Sequence, residues 1–155
     1  MGPFCHGGRV TVTLMRHTIC ALLVLTLPAL AAKKAIVPPE IPASPNFSQA
    51  ILADGTLYVS GTIGQDLKTK QVPSDFETEV KTALDNIGII LKAAGMTYKD
   101  VVSVQVYLTD MDLFPRMNAV YTTVFPEPRP ARTTVGVTKL ANTAAHIEIT
   151  VTAHK

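Results

Sequence analysis

The chain predicts an α+β sandwich in which two helices cover the apolar face of one sheet. Three features carry that prediction. Several segments alternate apolar and polar residues, two others space apolar residues by three and four, and the order runs strand, strand, helix, strand, helix, strand, strand without internal repeat. The 155 residues, 47% of them hydrophobic, suffice for one domain with a sizeable core.

Residues 47–52 and 56–61 flank Asp54-Gly55, a two-residue hairpin signal because both central positions favour positive φ. In the second of these strands Leu57 and Val59 alternate with Tyr58 and Ser60, and residues 61–73 then read as a surface loop. Ser74-Asp75-Phe76-Glu77 fits a capping box, in which a hydroxyl and a carboxylate satisfy free amides at a helix start. Phe76, Val80, Leu84, Ile87, Leu91 and Ala94 keep helical spacing, and Gly95 stands where a left-handed C-terminal residue belongs. Val102, Val104, Val106 and Leu108 alternate with Ser103, Gln105 and Tyr107, giving a strand with one buried face. Asp110 or Asp112 can cap a second helix, with Pro115 in its first turn and Phe114, Met117, Tyr121 and Val124 along one side; Phe125-Pro126-Glu127-Pro128 ends it. Alternation returns over residues 132–137 and 147–153.

Residues 1–31 do not read as fold. Met15-Arg16-His17 precedes a short apolar run from Ile19 to Leu27, and Ala29-Leu30-Ala31 supplies the small-residue site of a secretory signal peptide, cut near Ala31. Met15 is an alternative start. The run is too short to span a bilayer comfortably, so export to the periplasm or exterior without a stable membrane anchor is expected. Residues 32–46 hold Pro38, Pro39, Pro42 and Pro45 and are expected to form an extended arm without regular structure, followed by the domain at 47–155.

Processing would remove both cysteines, Cys5 and Cys20, and with them a cysteine nucleophile, a disulfide framework or a thiolate metal site. It would also remove Arg9 and Arg16, so that the 14 basic residues become 12 against 12 acidic ones. A net charge near zero argues against nucleic acid as the main partner. His146 and His154 lie eight residues apart on one strand, too far for a shared metal, and are expected to be solvated.

Candidate chemistry lies in Arg129-Pro130-Ala131-Arg132-Thr133-Thr134-Val135-Gly136-Val137 and in His146-Ile147-Glu148-Ile149-Thr150-Val151. By alternation the apolar side chains fall on odd numbers (Val135, Val137, Ile147, Ile149, Val151, Ala153), and Arg132, Thr134, Glu148 and Thr150 on even ones. This places one guanidinium and one carboxylate on a shared polar face. Arginine offers a planar fork to a small carboxylic acid, and glutamate can hold or activate a water. An ordinary cross-strand ion pair would give the same pattern. Together with Tyr58, Ser60 and Tyr107 the face is too polar for a core yet contains aromatics, as expected where sheets of several subunits meet around wet clefts. A merely solvated sheet face is the alternative.

Taken together, these segments resemble the RidA/YjgF family of imine deaminases. The resemblance runs from Pro45-Asn46-Phe47-Ser48-Gln49-Ala50 through Val59-Ser60-Gly61 and Asn118-Ala119-Val120-Tyr121 to the run Arg129–Val135 and Ile147-Glu148-Ile149. It implies a chorismate mutase-like (YjgF-like) sandwich, a mixed β-sheet with two helices on one face, assembled as a homotrimer with sites at the subunit interfaces. It further implies hydrolysis of enamines and imines of 2-amino acids to 2-keto acids and ammonia, with no metal or organic cofactor. By position, Arg132 would clamp the substrate carboxylate and Glu148 would position or activate water, while Phe47, Ser60, Gly61, Asn118 and Thr134 would complete the pocket. Three positions depart from the pattern: Phe47 stands where many active members have tyrosine, Thr134 where some have cysteine, and Thr150 where many have a second carboxylate. The loop over residues 139–145 is slightly long. Phe47 and export favour a second function, a noncatalytic module that holds a small carboxylate or presents a surface to another protein. Ribonuclease or translation-inhibitor activity, attributed to some relatives, fits poorly with zero net charge.

Overall fold

The computed structural model describes residues 1–2 and 32–155, so the signal-peptide reading falls almost wholly outside the described residues. Among the described residues the chain forms β1 (Lys34–Ile36), β2 (Ala50–Ala53), β3 (Thr56–Val59), β4 (Thr62–Ile63), α1 (Phe76–Ala93), β5 (Val101–Leu108), α2 (Phe114–Val124), β6 (Ala131–Gly136) and β7 (Ile147–His154). The strands lie in the order β1-β2-β3-β7-β5-β6, and β4 pairs with β7. All neighbours are antiparallel except β5 and β6, which run parallel because α2 forms the crossover between them. The sheet is therefore mixed, as expected.

Both helices pack on one face. Val80, Leu84, Ile87 and Leu91 of α1, with Met117 and Tyr121 of α2, are buried together with Leu57, Val59, Val104, Val106, Leu108, Ile147, Ile149 and Val151 of the sheet. Removing that apolar surface from water is the main term favouring the fold.

Local signals explain most boundaries. Asp54 and Gly55 have φ of 47° and 71°, and Ala53 pairs with Thr56, which is the two-residue turn the sequence requires. Gly95, at φ 72°, ends α1, with the amide of Met96 donating to the Leu91 carbonyl at 2.9 Å. Asp110, rather than Asp112, caps the 3₁₀ turn Met111–Leu113 that leads into α2.

Other expectations need correction. The capping box at Ser74 does not form. Asp75 caps α1 instead, accepting from the amide and hydroxyl of Thr78 at 2.9 and 2.6 Å. Glu77 is thereby free to pair with Arg116 and tie the starts of the two helices together. The proline-rich arm is not wholly irregular, because its first residues, ahead of Pro38, add β1 to the edge of β2. The first strand of the hairpin starts at Ala50 rather than at 47, and the loop after Gly61 contains β4. Val102 is 51% exposed, since a bulge between Val101 and Ser103 takes it out of the buried row.

The most consequential correction concerns β6. Residues paired across a ladder share a face, and β6 pairs Arg132 with Val104 and Thr134 with Val106, both core-facing. Arg132 and Thr134 therefore point toward the helices, and Val135, 41% exposed, points away. Glu148 pairs with Tyr107 and points to the open face. Arg132 and Glu148 lie on opposite faces of the sheet.

Candidate functional site

Around Glu148 the ladder is deliberately irregular. Tyr58 pairs with Thr152, yet Thr62 pairs with Ile149, so the β3–β4 side carries one extra residue and bows at Ser60-Gly61. The Glu148 carboxylate occupies the hollow this creates: a Cβ on Gly61 would lie 1.7 Å from Glu148 Oε1. Only glycine allows that approach. Ser60 keeps its amide on the Gln49 carbonyl at 3.0 Å, but its buried hydroxyl has no partner among the described residues. Glu148 accepts no hydrogen bond from any described residue, which leaves its oxygens available to a water.

Two hollows meet at this carboxylate. One, of about 350 Å³, lies between Phe47, Ile63, Leu67, Ile90 and Glu148. The other, of about 320 Å³, opens on the far face between Tyr107, Lys139, Thr150 and Glu148. Gly61 and residues of the 139–145 loop line both.

Arg132 occupies a different hollow, of about 300 Å³, with Asn118, Tyr121, Thr122, Arg129 and Pro130. Its guanidinium carbon lies 4.5 Å from the centre of the Tyr121 ring and 5.5 Å from that of Phe114, and Nη1 approaches Met117 Sδ at 3.9 Å. Resting on ring faces holds the cation without consuming its fork. Among the described residues no carboxylate neutralises it. Burial pushes the Tyr121 phenol above its ordinary value, against the pull of Arg132 and Arg129, so the group stays a neutral donor. That hydroxyl and Thr134 Oγ1 are buried without partners among the described residues.

The sequence-derived site thus divides in two. Phe47, Ser60, Gly61 and Glu148 form one half, and Asn118, Thr134 and Arg132 form the other. Within one protomer the halves do not meet.

Glu79 escaped the sequence reading. It is fully buried on α1, and its carboxylate accepts from the amides of His146 and Ile147 at 2.7 and 3.2 Å and contacts His146 Nδ1 at 2.8 Å. It therefore fixes the start of β7 immediately before Glu148. His146 and His154 are exposed to solvent, as expected, and each also has one side-chain partner, His146 Nδ1 on Glu79 and His154 Nδ1 at 3.0 Å from Thr56 Oγ1. The available signal was position: Glu79 lies three residues after Phe76 and four before Ala83, on the buried stripe.

Comparison with known proteins identifies the family. The family model described as endoribonuclease L-PSP matches residues 38–155, and a solved member of the conserved Rid protein family, YyfA from Yersinia pestis, superposes with a TM-score of 0.76 at 34% identity, covering 80% of this chain and all of that one. The chain belongs to the Rid family. A rat protein named 2-iminobutanoate/2-iminopropanoate deaminase is 44% identical over 104 residues, which are 66% of this chain and 75% of that protein. A RutC family protein from Sulfurisphaera tokodaii is 44% identical over 110 residues, 70% of this chain and 87% of its own. The chorismate mutase-like sandwich inferred from the sequence is thus the Rid fold seen here.

Proposed function

We propose that this Rid protein hydrolyses 2-imino acids to 2-keto acids and ammonia, at sites completed between neighbouring subunits of a homotrimer. One observation carries the reading: an Arg132 fork and a Glu148 carboxylate, neither paired with a side chain of opposite charge among the described residues, each border a hollow, on opposite faces of one sheet. A single protomer cannot offer both to one small molecule. A second copy can, and the open face supplies a surface for it, with Tyr58 and Val135 exposed there. The deaminase names of the mammalian relatives support the same chemistry.

In this mechanism Arg132 of one subunit holds the substrate carboxylate through two parallel hydrogen bonds. Glu148 of the next subunit takes a proton from a water as its oxygen adds to the imine carbon, the C=N electron pair passes to nitrogen, and Glu148 returns that proton to the nitrogen. In the resulting carbinolamine Glu148 takes the hydroxyl proton and delivers it to the amino group, so that the C–N bond breaks, ammonia leaves and the C–O bond becomes C=O. The imine carbon is already electrophilic, so orientation supplies much of the acceleration. Asn118, Thr134, Ser60 and Phe47 shape the pocket. Export, read from the leader, belongs to the same proposal and is checked by sequencing the N-terminus of protein recovered outside the cytoplasm.

The decisive experiment generates imines in situ with an amino-acid oxidase and follows ammonia release. Wild type is expected to exceed the buffer rate, and Arg132→Ala and Glu148→Ala to fall to it. Coexpressing the two dead variants should restore about a quarter of the sites, since in a cyclic trimer each site draws one residue from each neighbour. A wild-type rate equal to buffer rejects the deaminase; no recovery on coexpression rejects the shared site. Phe47, which brings no hydroxyl to the cavity wall, favours the second reading of a noncatalytic carboxylate binder. Calorimetric binding of keto acids without turnover would select it.

A further inference from the structure

We infer that the 350 Å³ hollow beyond Glu148 receives the substrate's side chain, and that this protein favours 2-imino acids with large apolar side chains, such as those derived from leucine or phenylalanine, over the alanine-derived imine. The inference rests on the deaminase reading and extends it to substrate class. Small-molecule sites run from about 300 to 1,000 Å³, so the hollow is far larger than a methyl group needs. Its walls come from four parts of the chain: Ile41 of the arm, Phe47 ahead of β2, Ile63 and Leu67 around β4, and Ile90 of α1. Ile41 is held there by a turn in which its amide donates to the Pro38 carbonyl at 3.2 Å.

Each side-chain amide that borders the hollow has one end already paired. Asn86 Nδ2 donates to the carbonyls of Ile63 and Gln65 at 3.4 and 3.0 Å, Gln49 Nε2 to that of Pro42 at 3.1 Å, and Gln65 Nε2 to that of Lys70 at 2.8 Å. Asn142 Oδ1 accepts from the amide of Ala144 at 3.0 Å. Apart from Glu148 at the mouth, no charged residue lines the hollow among the described residues. A carboxylate side chain would lose its hydration there, meet no cation among the described residues and approach Glu148, whereas an apolar one gains burial against Ile41, Phe47, Ile63, Leu67 and Ile90. Glu148 and Gly61 border this hollow, which places the reacting carbon at its mouth when the carboxylate is held by the neighbouring subunit.

The test compares kcat/KM for imines generated from alanine, leucine, phenylalanine and glutamate, beside calorimetric titration with pyruvate and 4-methyl-2-oxopentanoate. Leucine- and phenylalanine-derived imines are expected to exceed the alanine-derived one about tenfold or more, with the glutamate-derived one slowest. The larger keto acid should bind tighter by a similar factor. Leu67→Trp, which fills the hollow from a partly buried position, should abolish both preferences by lowering turnover of the leucine- and phenylalanine-derived imines and binding of the larger keto acid, with intact folding checked by circular dichroism and the denaturant midpoint. Equal or faster turnover of the alanine-derived imine, with pyruvate bound as well as the larger keto acid, overturns the assignment and leaves the deaminase reading standing. Size-selective binding without turnover of any imine does the reverse: the deaminase reading falls and the side-chain pocket stands.

Discussion

The Glu148 end of the sheet and the Arg132 edge are built on opposite principles. Glu148 sits on β7, an interior strand held by β3 and β4 on one side and β5 on the other, and its fully buried neighbours Ile147 and Ile149 fix the face it must take. Arg132 sits on β6, which among the described residues is an edge strand paired only with β5, and it faces the helices by lying over the rings of Tyr121 and Phe114. Alternation therefore assigns a face only where the two faces differ in burial. On β6 they barely do: one row is exposed, the other half-buried, and a cation covers aromatic rings as readily as an aliphatic chain would. In the proposed mechanism the same contrast divides the work, with substrate anchoring assigned to the edge and water activation to the interior.

The strongest way to break that division is at the edge. Arg132→Ala should lower kcat/KM about a thousandfold, roughly 4 kcal/mol of transition-state binding, and should abolish keto acid binding in calorimetry. Arg132→Lys keeps the charge but not the fork and should recover about tenfold of the loss at most. Full recovery by lysine would mean that the edge supplies a general positive field rather than a clamp.

At the interior end the corresponding change is Gly61→Ala. The new methyl would meet Glu148 Oε1, so the carboxylate must move, and kcat should fall about a hundredfold. Keto acid affinity should stay within a fewfold if, as proposed, the clamp belongs to the other half-site. Rapid-reaction kinetics beside titration separates the two effects. Parallel loss of binding and turnover would dissolve the distinction between the regions.

Legibility in the sequence followed the same divide. The Asp54-Gly55 hairpin, Gly95 and the apolar stripe of α1 were readable because each answers a strong local demand: positive φ at the turns, and burial every three to four residues along the helix. Arg132, Glu148 and the two-helix layer were readable as residues and elements, but the face of β6 was not, since it depends on rings contributed by α2. The strand β1 was hidden because three residues carry no period. Asp75 displaced Ser74 as cap because its carboxylate reaches both the amide and the hydroxyl of Thr78. Glu79 was hidden for a further reason, since a charged residue on an apolar stripe signals a partner without naming it. Glu79→Ala leaves the amides of His146 and Ile147 unpaired and should cost about 2 kcal/mol in denaturant unfolding, with Glu79→Gln costing less. A larger effect on kcat than on stability would show that the residue chiefly positions Glu148.

The smallest effects sharpen the comparison most finely. Ser60 on the Glu148 side and Thr134 on the Arg132 side each bury a hydroxyl without a partner among the described residues. An unpaired buried hydroxyl costs stability, so Ser60→Ala and Thr134→Val should each raise the unfolding free energy by about 1 kcal/mol. If the hydroxyls await substrate, both variants become less active as they become more stable, Ser60→Ala through kcat and Thr134→Val through KM, each by about fivefold. If instead the assembled subunits satisfy them, both variants lose stability and dissociate at higher protein concentration than wild type. Sedimentation and kinetics on the same two proteins therefore decide whether each half-site keeps its spare hydrogen bond for the ligand or for the neighbouring subunit.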